Sequence, residues 1–510
     1  MSCSDRKDIE ETIVPISQDD NAQIGNNEEQ VEVLDKFPEG DVGNPYNWTK
    51  GRKMFIILTT SATLFNSTLA SSLSSNAMPG ITAEFGVDTT RTNPELVLPI
   101  SLFLVGYVFG PLLFGPLSEM IGRRVTMLLA FAGYTAFTLG CALAPNWQSF
   151  LTFRLFCGIF ACAPVNIGAG IVADVYNDPA IRGRAMAYFL GFSLSAPLIA
   201  PSLSGYISEA ATWRWAFWAA VIVAGVTWVP LVFLPETYTP VLLARRAKEM
   251  RKQALEAGRG NTRTLSPIET EHKSWQIKIG MVLARPAKIF CTELIVSTSS
   301  IYMAVVYAIY FMFFQAYPLI FRDIYGMGPG VMGLMYLPVG AGTLLGVLGS
   351  QLWDHALARA KQRGKSWAHK EKHRRLPLAC VGGPLLVIGL FWLGWTARED
   401  ISWVVPFMAG VPFGIGNFVI AISLTNYLSD AYGIYSASVM AAASCTRNIL
   451  GAALPLATGE MYRSLGIGWA TSLVGFLSLG MCGLPFVLIY YGEMIQERSK
   501  FSRSLLKATR

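Results

Sequence analysis

Arginine is costly in hydrocarbon, yet this chain places two, Arg154 and Arg447, inside long apolar runs. Each costs about 2.5–3.5 kcal/mol at the centre of a membrane helix on insertion scales, so such a residue faces a cavity or a partner. For Arg447 a structural ion pair and a functional role are equally open. A second cluster is Gly115-Pro116-Leu117-Ser118-Glu119-Met120-Ile121-Gly122-Arg123-Arg124. Its glycines allow backbones to reverse closely. An acid beside two arginines supplies ion pairs that can form in one conformation and break in another. A plain tight turn would account for Arg123 and Arg124 but not for the whole pattern. A third feature is Met303, Tyr307, Tyr310, Phe314 and Tyr317, spaced by three and four and therefore on one helical face, with Gln315 beside them. Such a stripe is either packing or lipid-facing surface, or a binding wall.

Other chemistries lack residues. The four histidines (His272, His355, His369, His373) fall in polar connections or at their edges, and seven of the eight cysteines lie inside apolar runs. We therefore expect no metal, no cofactor and no disulfide framework. No nucleophile, base and orienting group recur at one membrane depth, so an enzyme is not expected. There is no Gly-x-x-x-x-Gly-Lys-Ser/Thr, so ATP is not the energy source. Some gradient must then drive uphill movement. The first apolar run contains no acid, only hydroxyls and Asn66. The carboxyls left for proton binding are Glu293, Glu119 and Asp174, each of which also has a structural reading as a helix-end anchor or a partner of nearby arginines.

The elements that must position these groups are membrane helices. Of 510 residues 52% are hydrophobic and 15% charged, with a mean hydropathy of +0.40, against about 25% charged in soluble proteins. Runs of about 20 apolar residues, the length that crosses roughly 30 Å of hydrocarbon, fall near 53–76, 95–115, 125–144, 148–171, 185–207, 213–234, 287–317, 330–352, 377–396, 402–425, 434–457 and 467–491. Continuous apolarity with many Gly and Pro predicts helices and not barrel strands. The fold class is thus an all-α membrane protein, twelve helices in two pseudo-symmetric six-helix bundles. The expected order is a disordered cytoplasmic tail (1–43), a first bundle (44–235), a cytoplasmic loop (236–285), a second bundle (286–492) and a cytoplasmic tail (493–510). Lys and Arg are retained on the cytoplasmic side, and they concentrate in the tails, the central loop and alternate connections, which puts both termini inside. The formal charge of +7 sits in these connections and not on a basic stripe interleaved with aromatics, so nucleic acid is not a partner.

The Gly115–Arg124 segment resembles the signature G-x-L-x-D-x-x-G-R-R/K of the major facilitator superfamily, with Glu119 in place of Asp. Asn44 to Trp48, Arg154 with Gly158, Asp174 through Arg182-Gly183-Arg184, Leu234 to Tyr238 and Asn426 to Gly433 look like the fungal twelve-span drug:proton antiporters. The resemblance implies two halves rocking around a midplane site and a switch built from Gly115, Glu119, Gly122, Arg123, Arg124, Asp174, Arg182 and Arg184. It also implies export of a small organic compound in exchange for protons. Proton coupling would fall to Arg154, Glu293 or Arg447, since a buried positive charge can lower a neighbouring carboxyl's affinity for protons. Spans one, four, seven and ten line the cavity in this superfamily, so Asn66, Asn166, Gln315 and Asn417, with Tyr307, Tyr310 and Phe314, are the expected substrate contacts. Span five matches the antiporter pattern with departures: Ala196, Pro197, Ala200, Pro201, Ser204 and Gly205, where small residues at 196, 200 and 204 keep close packing. Packing and a coupling role are both open there. Aromatic and Met surface suits amphipathic molecules; drug, polyamine and secondary metabolite stay open. So do an importer or uniporter and a non-transporting sensor. A monomer in the plasma membrane is expected, with the vacuolar membrane as the alternative.

Overall fold

A computed structural model describes residues 30–34, 36–38, 40–88, 90, 93–256, 262–265, 275–365, 371–432 and 436–498. The chain forms two units, one of residues 37–242 with 272–510 and a smaller one of residues 1–36 with 243–271.

The larger unit is the membrane bundle. Span one is Lys50–Ser72, span two Leu98–Met120, span three Arg123–Ala142, span four Trp147–Ala161 with Ala163–Val175, span five Pro179–Ala210 and span six Arg214–Val232. Span seven is Leu294–Tyr317, span eight Pro329–Leu334 with Leu337–Gln362, span nine Glu371–Thr396 and span ten Val404–Met408 with Gly410–Tyr432. Span eleven starts as Ser436–Ala453. Among the described residues eleven helical runs are apolar and long enough to cross a membrane, and the last, Ser438–Gly492, has 55 residues. That is far beyond the roughly 20 needed for one crossing. It reverses at Gly466, whose φ of 73° breaks the helix, so spans eleven and twelve are separate and the crossings number twelve.

Several spans are broken where proline intervenes. Pro164 has no N–H to continue the ladder, and span four divides at Cys162. Span seven starts at Leu294 and not near 287, because Glu293 is extended (φ −107°, ψ 103°) and separates it from the preceding helix Trp275–Thr292. One hydrophobic cluster gathers spans seven to twelve, and two others lie within spans one to six.

In the smaller unit, Gln30–Val33 and Thr262–Leu265 form a two-stranded parallel pair with Gln30 opposite Thr262. The segments read as tail and loop thus contain a little strand. The alternating Val31 and Val33 give it β propensity. Most of the expected 1–43 tail, residues 499–510 and the middle of the central loop, with His272, lie outside the described residues.

Candidate functional site

The end of the bundle that carries Gly115–Arg124 is called the near end here, and the opposite end the far end. At the near end span two stops at Met120, and Gly122 takes φ 99° to launch span three. A Cβ on Gly122 would sit 2.4 Å from Glu236 Oε2. The space is needed because the buried Glu236 carboxylate, just past span six, lies against the turn. It accepts the backbone N–H groups of Arg123 (2.9 Å) and Arg124 (3.1 Å), and also those of Thr237 and Tyr238 (both 3.0 Å). A carboxylate against the first N–H groups of a helix satisfies orphan donors and complements the helix dipole. Arg123 reaches the other way: Nε to Asp174 Oδ2 in span four (3.3 Å), Nη1 to Ser118 Oγ (2.6 Å), with the guanidinium over the Tyr238 ring. Arg124 donates to the Val232 carbonyl.

Of the residues expected to form the switch, Gly122, Arg123, Arg124 and Asp174 come together, and Gly115 lies one turn back in span two. Glu119, Arg182 and Arg184 are exposed and form no ion pair among the described residues. The acid that clasps the turn is therefore Glu236 and not Glu119. Sequence reasoning noticed Glu236 only within a family match, because its partners lie more than a hundred positions away. The second half carries an analogous arrangement that was not anticipated: Arg375, opening span nine, pairs with Asp430 of span ten (3.3 Å) and Asp354 of span eight (3.9 Å). Arg123 with Asp174 and Arg375 with Asp430 join corresponding spans of the two halves. Beside the second pair, Tyr432 donates its hydroxyl to the buried Glu293 carboxylate (3.0 Å).

Arg154 is 1% exposed. Its Nη1 donates to the Ala70 carbonyl (2.8 Å), Nη2 to Ser71 (3.2 Å) and Nε to Pro99 (2.9 Å), with Phe103 beneath the guanidinium. The last turn of a helix leaves carbonyls unpaired and partially negative, and Arg154 supplies the donors for span one. Its donors all go to main-chain carbonyls, and no carboxylate pairs with it among the described residues.

In span five Pro201 has no N–H, which frees the Pro197 carbonyl four residues back. Ser72 Oγ of span one donates to that carbonyl, and Asn76 Nδ2 donates to the Pro201 carbonyl (3.0 Å). Ala196, Ala200 and Ser204 are buried, and Gly205 approaches the Pro329 backbone of span eight too closely for a side chain. Asn66, expected at the cavity, is 1% exposed and donates to Thr227 Oγ1 of span six (2.7 Å) and to the Ala62 carbonyl. It braces the first half from within. The stripe on span seven divides as well. Tyr310 and Phe314 are buried in an aromatic cluster with Phe311 and Tyr336, whereas Tyr307 is partly exposed. Asn166 donates to the Cys162 carbonyl (3.1 Å) at the break in span four. Gln315 is partly exposed, Asn417 is buried, and neither has a hydrogen-bond partner among the described residues.

At the far end the two halves are joined directly. Ser101 Oγ donates to the Ala452 carbonyl (2.8 Å), Asn76 Nδ2 to the Pro329 carbonyl (3.1 Å), and the Gly330 N–H to Glu209 Oε1 (2.9 Å). Just below, Glu84 is bound by Arg214 and the Trp213 indole (both 2.6 Å), while Arg214 also caps the carbonyls of Ala142 and Ala144. The Arg214 hydrogen bond, helped by that of Trp213, holds the Glu84 carboxyl below its ordinary pKa against a smaller opposing effect of burial.

Residues 60–455 match the family model described as Major Facilitator Superfamily. The chain is 36% identical to the MFS-type efflux pump MFS2 of Trichophyton rubrum, over 94% of this chain and 79% of that protein. It is 34% identical to the major facilitator superfamily multidrug transporter mdrA of Aspergillus fumigatus, over 94% and 77%, and 36% identical to the MFS transporter prlG of a fungal species, over 92% and 97%. The xylose transporter XylE of E. coli, in a partially occluded inward-open conformation, shares the fold with a TM-score of 0.62 at 15% identity, covering 87% of this chain and 98% of that one.

Proposed function

The chain belongs to the Major Facilitator Superfamily, among its fungal drug-efflux transporters, and from that membership we propose that it exports an amphipathic organic compound by alternating access in exchange for protons. It is a multi-pass membrane transporter of small molecules and not an enzyme. The observation that carries the alternating-access reading is the asymmetry between the two ends. Across the far end the halves are hydrogen-bonded to each other (Ser101 to Ala452, Asn76 to Pro329, Gly330 to Glu209). The near-end clasps around Arg123 and Arg375 each stay within one half. In the opposite state the far-end bonds open and the halves meet at the near end, where Glu119, Arg182 and Arg184 find the partners they lack here. The clasps keep each half rigid while this happens.

Glu293 is the proposed proton carrier. It is a buried carboxylate held by a tyrosine hydroxyl from another span, whereas Arg154 is committed to carbonyls. The near end is proposed to face the cytoplasm, with both termini inside, in the plasma membrane and as a monomer. In inside-out vesicles an acidic interior should drive accumulation of substrate, and an uncoupler should abolish it. Glu293→Gln should remove the pH-driven component while leaving exchange down a substrate gradient. Accumulation undiminished by the uncoupler would overturn proton exchange, and a fully coupled Glu293→Gln would move the role to another residue.

A further inference from the structure

Arg447 is the cation within the spans that the transport scheme leaves without work. It projects from span eleven, partly exposed, and it has neither a hydrogen bond nor an ion pair among the described residues. Its Nε is fully enclosed and unpaired. The contrast with Arg154 is direct, since that residue spends its donors on three carbonyls. An arginine inside a span whose donors no protein group accepts is expensive unless something else completes it.

The surroundings narrow what that is. The guanidinium carbon of Arg447 lies 4.8 Å from the centre of the Tyr307 ring of span seven. One turn on, Gly451 presents bare backbone to the same ring, where a Cβ would already touch Tyr307 at 3.0 Å. The ring thus packs against span eleven at Gly451 and lies under the guanidinium on one side. From the first half, Leu104 of span two borders Gly451, and two residues before Arg447 the Cys445 thiol donates to the Val108 carbonyl of span two (3.6 Å). The place therefore lies between spans of both halves, as a translocation site must, and it offers one positive charge and the partly exposed Tyr307 ring, with Leu104 enclosed behind them.

We infer that Arg447 is the docking point for the carboxylate, or an equivalent single negative charge, of an amphipathic organic acid, whose apolar body lies against Tyr307. This rests on the efflux reading above and gives its substrate a chemical class. The guanidinium fork matches a carboxylate bidentately, and a lone cation balances a monoanion better than a dianionic phosphate. A cationic drug or a polyamine would meet an uncompensated like charge at this depth. Exchange of one such anion for one proton carries two positive charges into the cell per cycle, so the inside-negative membrane potential assists export of the acid.

The test uses the purified full chain in proteoliposomes. The probes are 1-naphthaleneacetate with 1-naphthaleneacetamide, 4-phenylbutyrate with 4-phenylbutyramide, and the cation rhodamine 6G, each corrected for flux into protein-free liposomes. Wild-type protein should move each acid about 10- to 100-fold faster than its amide, the range expected for a charge-assisted hydrogen bond. That ratio should collapse towards one in Arg447→Gln and recover in part in Arg447→Lys. A valinomycin-imposed potential should speed the acids more than the amides. Amides or rhodamine 6G moving while the acids do not, or an acid-to-amide ratio unchanged in Arg447→Gln, would overturn the assignment and leave efflux standing. If no probe moves in the wild type, the efflux reading itself falls, and the acid assignment with it.

Discussion

Gly122 and Glu236 show how one turn comes to depend on a residue far along the chain. Valine at 122 would need a strained positive φ, costing on the order of 1–3 kcal/mol, and its Cβ would also displace the Glu236 carboxylate. Gly122→Val should therefore abolish vesicle transport with substrate binding largely kept; normal transport would reduce the segment to a mere turn. Glu236→Gln is a gentler probe. One oxygen would become an NH2 group facing a backbone N–H, with an expected loss of about 1–3 kcal/mol, read as a lower melting temperature in detergent. The glycines and charges of the turn were legible in the sequence because they are local. Glu236 was not, because nothing local tells an acid at the end of span six that its acceptor oxygens are used 112 and 113 positions earlier. The Asn66 contact was illegible for the same reason: helical position alone does not say whether an amide turns to the cavity or to Thr227.

At the scale of elements, several joints between helices are made by a single polar side chain acting on main-chain atoms. Ser72→Ala would leave the Pro197 carbonyl of span five without its donor, at a cost of about 1–3 kcal/mol, measurable as a fall in melting temperature. The Glu84, Trp213 and Arg214 joint adds a pH dependence. The carboxyl's folded pKa is depressed, so its stabilisation is complete above the unfolded value of about 4.3 and is lost as pH falls through the lower folded value. The melting temperature of wild type should exceed that of Glu84→Gln at pH 7, with the gap closing below about pH 4. Because Glu84 is 43% exposed, the gap should correspond to less than about 1 kcal/mol; a gap that persists at pH 3 would contradict it. The twelve spans were legible because each must hold about 20 apolar residues in succession. Their breaks were less so. Pro164 signals one at Cys162, but the start of span seven at Leu294 depends on the extended backbone of Glu293, and Lys288 and Glu293 are too few charges to end an apolar run by composition alone.

For the whole molecule, the closure of the far end makes two expectations. A disulfide between Ser101→Cys and Ala452→Cys should lock the halves there and stop transport, and reductant should restore it; a cross-linked protein that still turns over would mean that this contact does not open. In a Cys291→Ser background, cysteine at Gln362 should be protected from an impermeant thiol reagent in intact cells and cysteine at Asp400 should react, with the reverse pattern overturning the orientation. The two-half architecture could be read from the long central loop and the six-and-six division. The closure could not, since its bonds join residues whose spacing carries no periodic signal. Those bonds have one further property. On the second half the atoms that meet Ser101, Asn76 and Glu209 are the Ala452 and Pro329 carbonyls and the Gly330 N–H, which are main-chain groups. The hydrogen bonds of the gate therefore read the backbone course of the second half, and the side chains that matter to it there are the ones missing at Gly330 and Gly333, where a Cβ would collide with Tyr206, Glu209 and Ser202. Substitutions that remodel the cargo pocket away from these glycines can accumulate without changing those bonds, so the two properties are free to diversify along separate lines of descent.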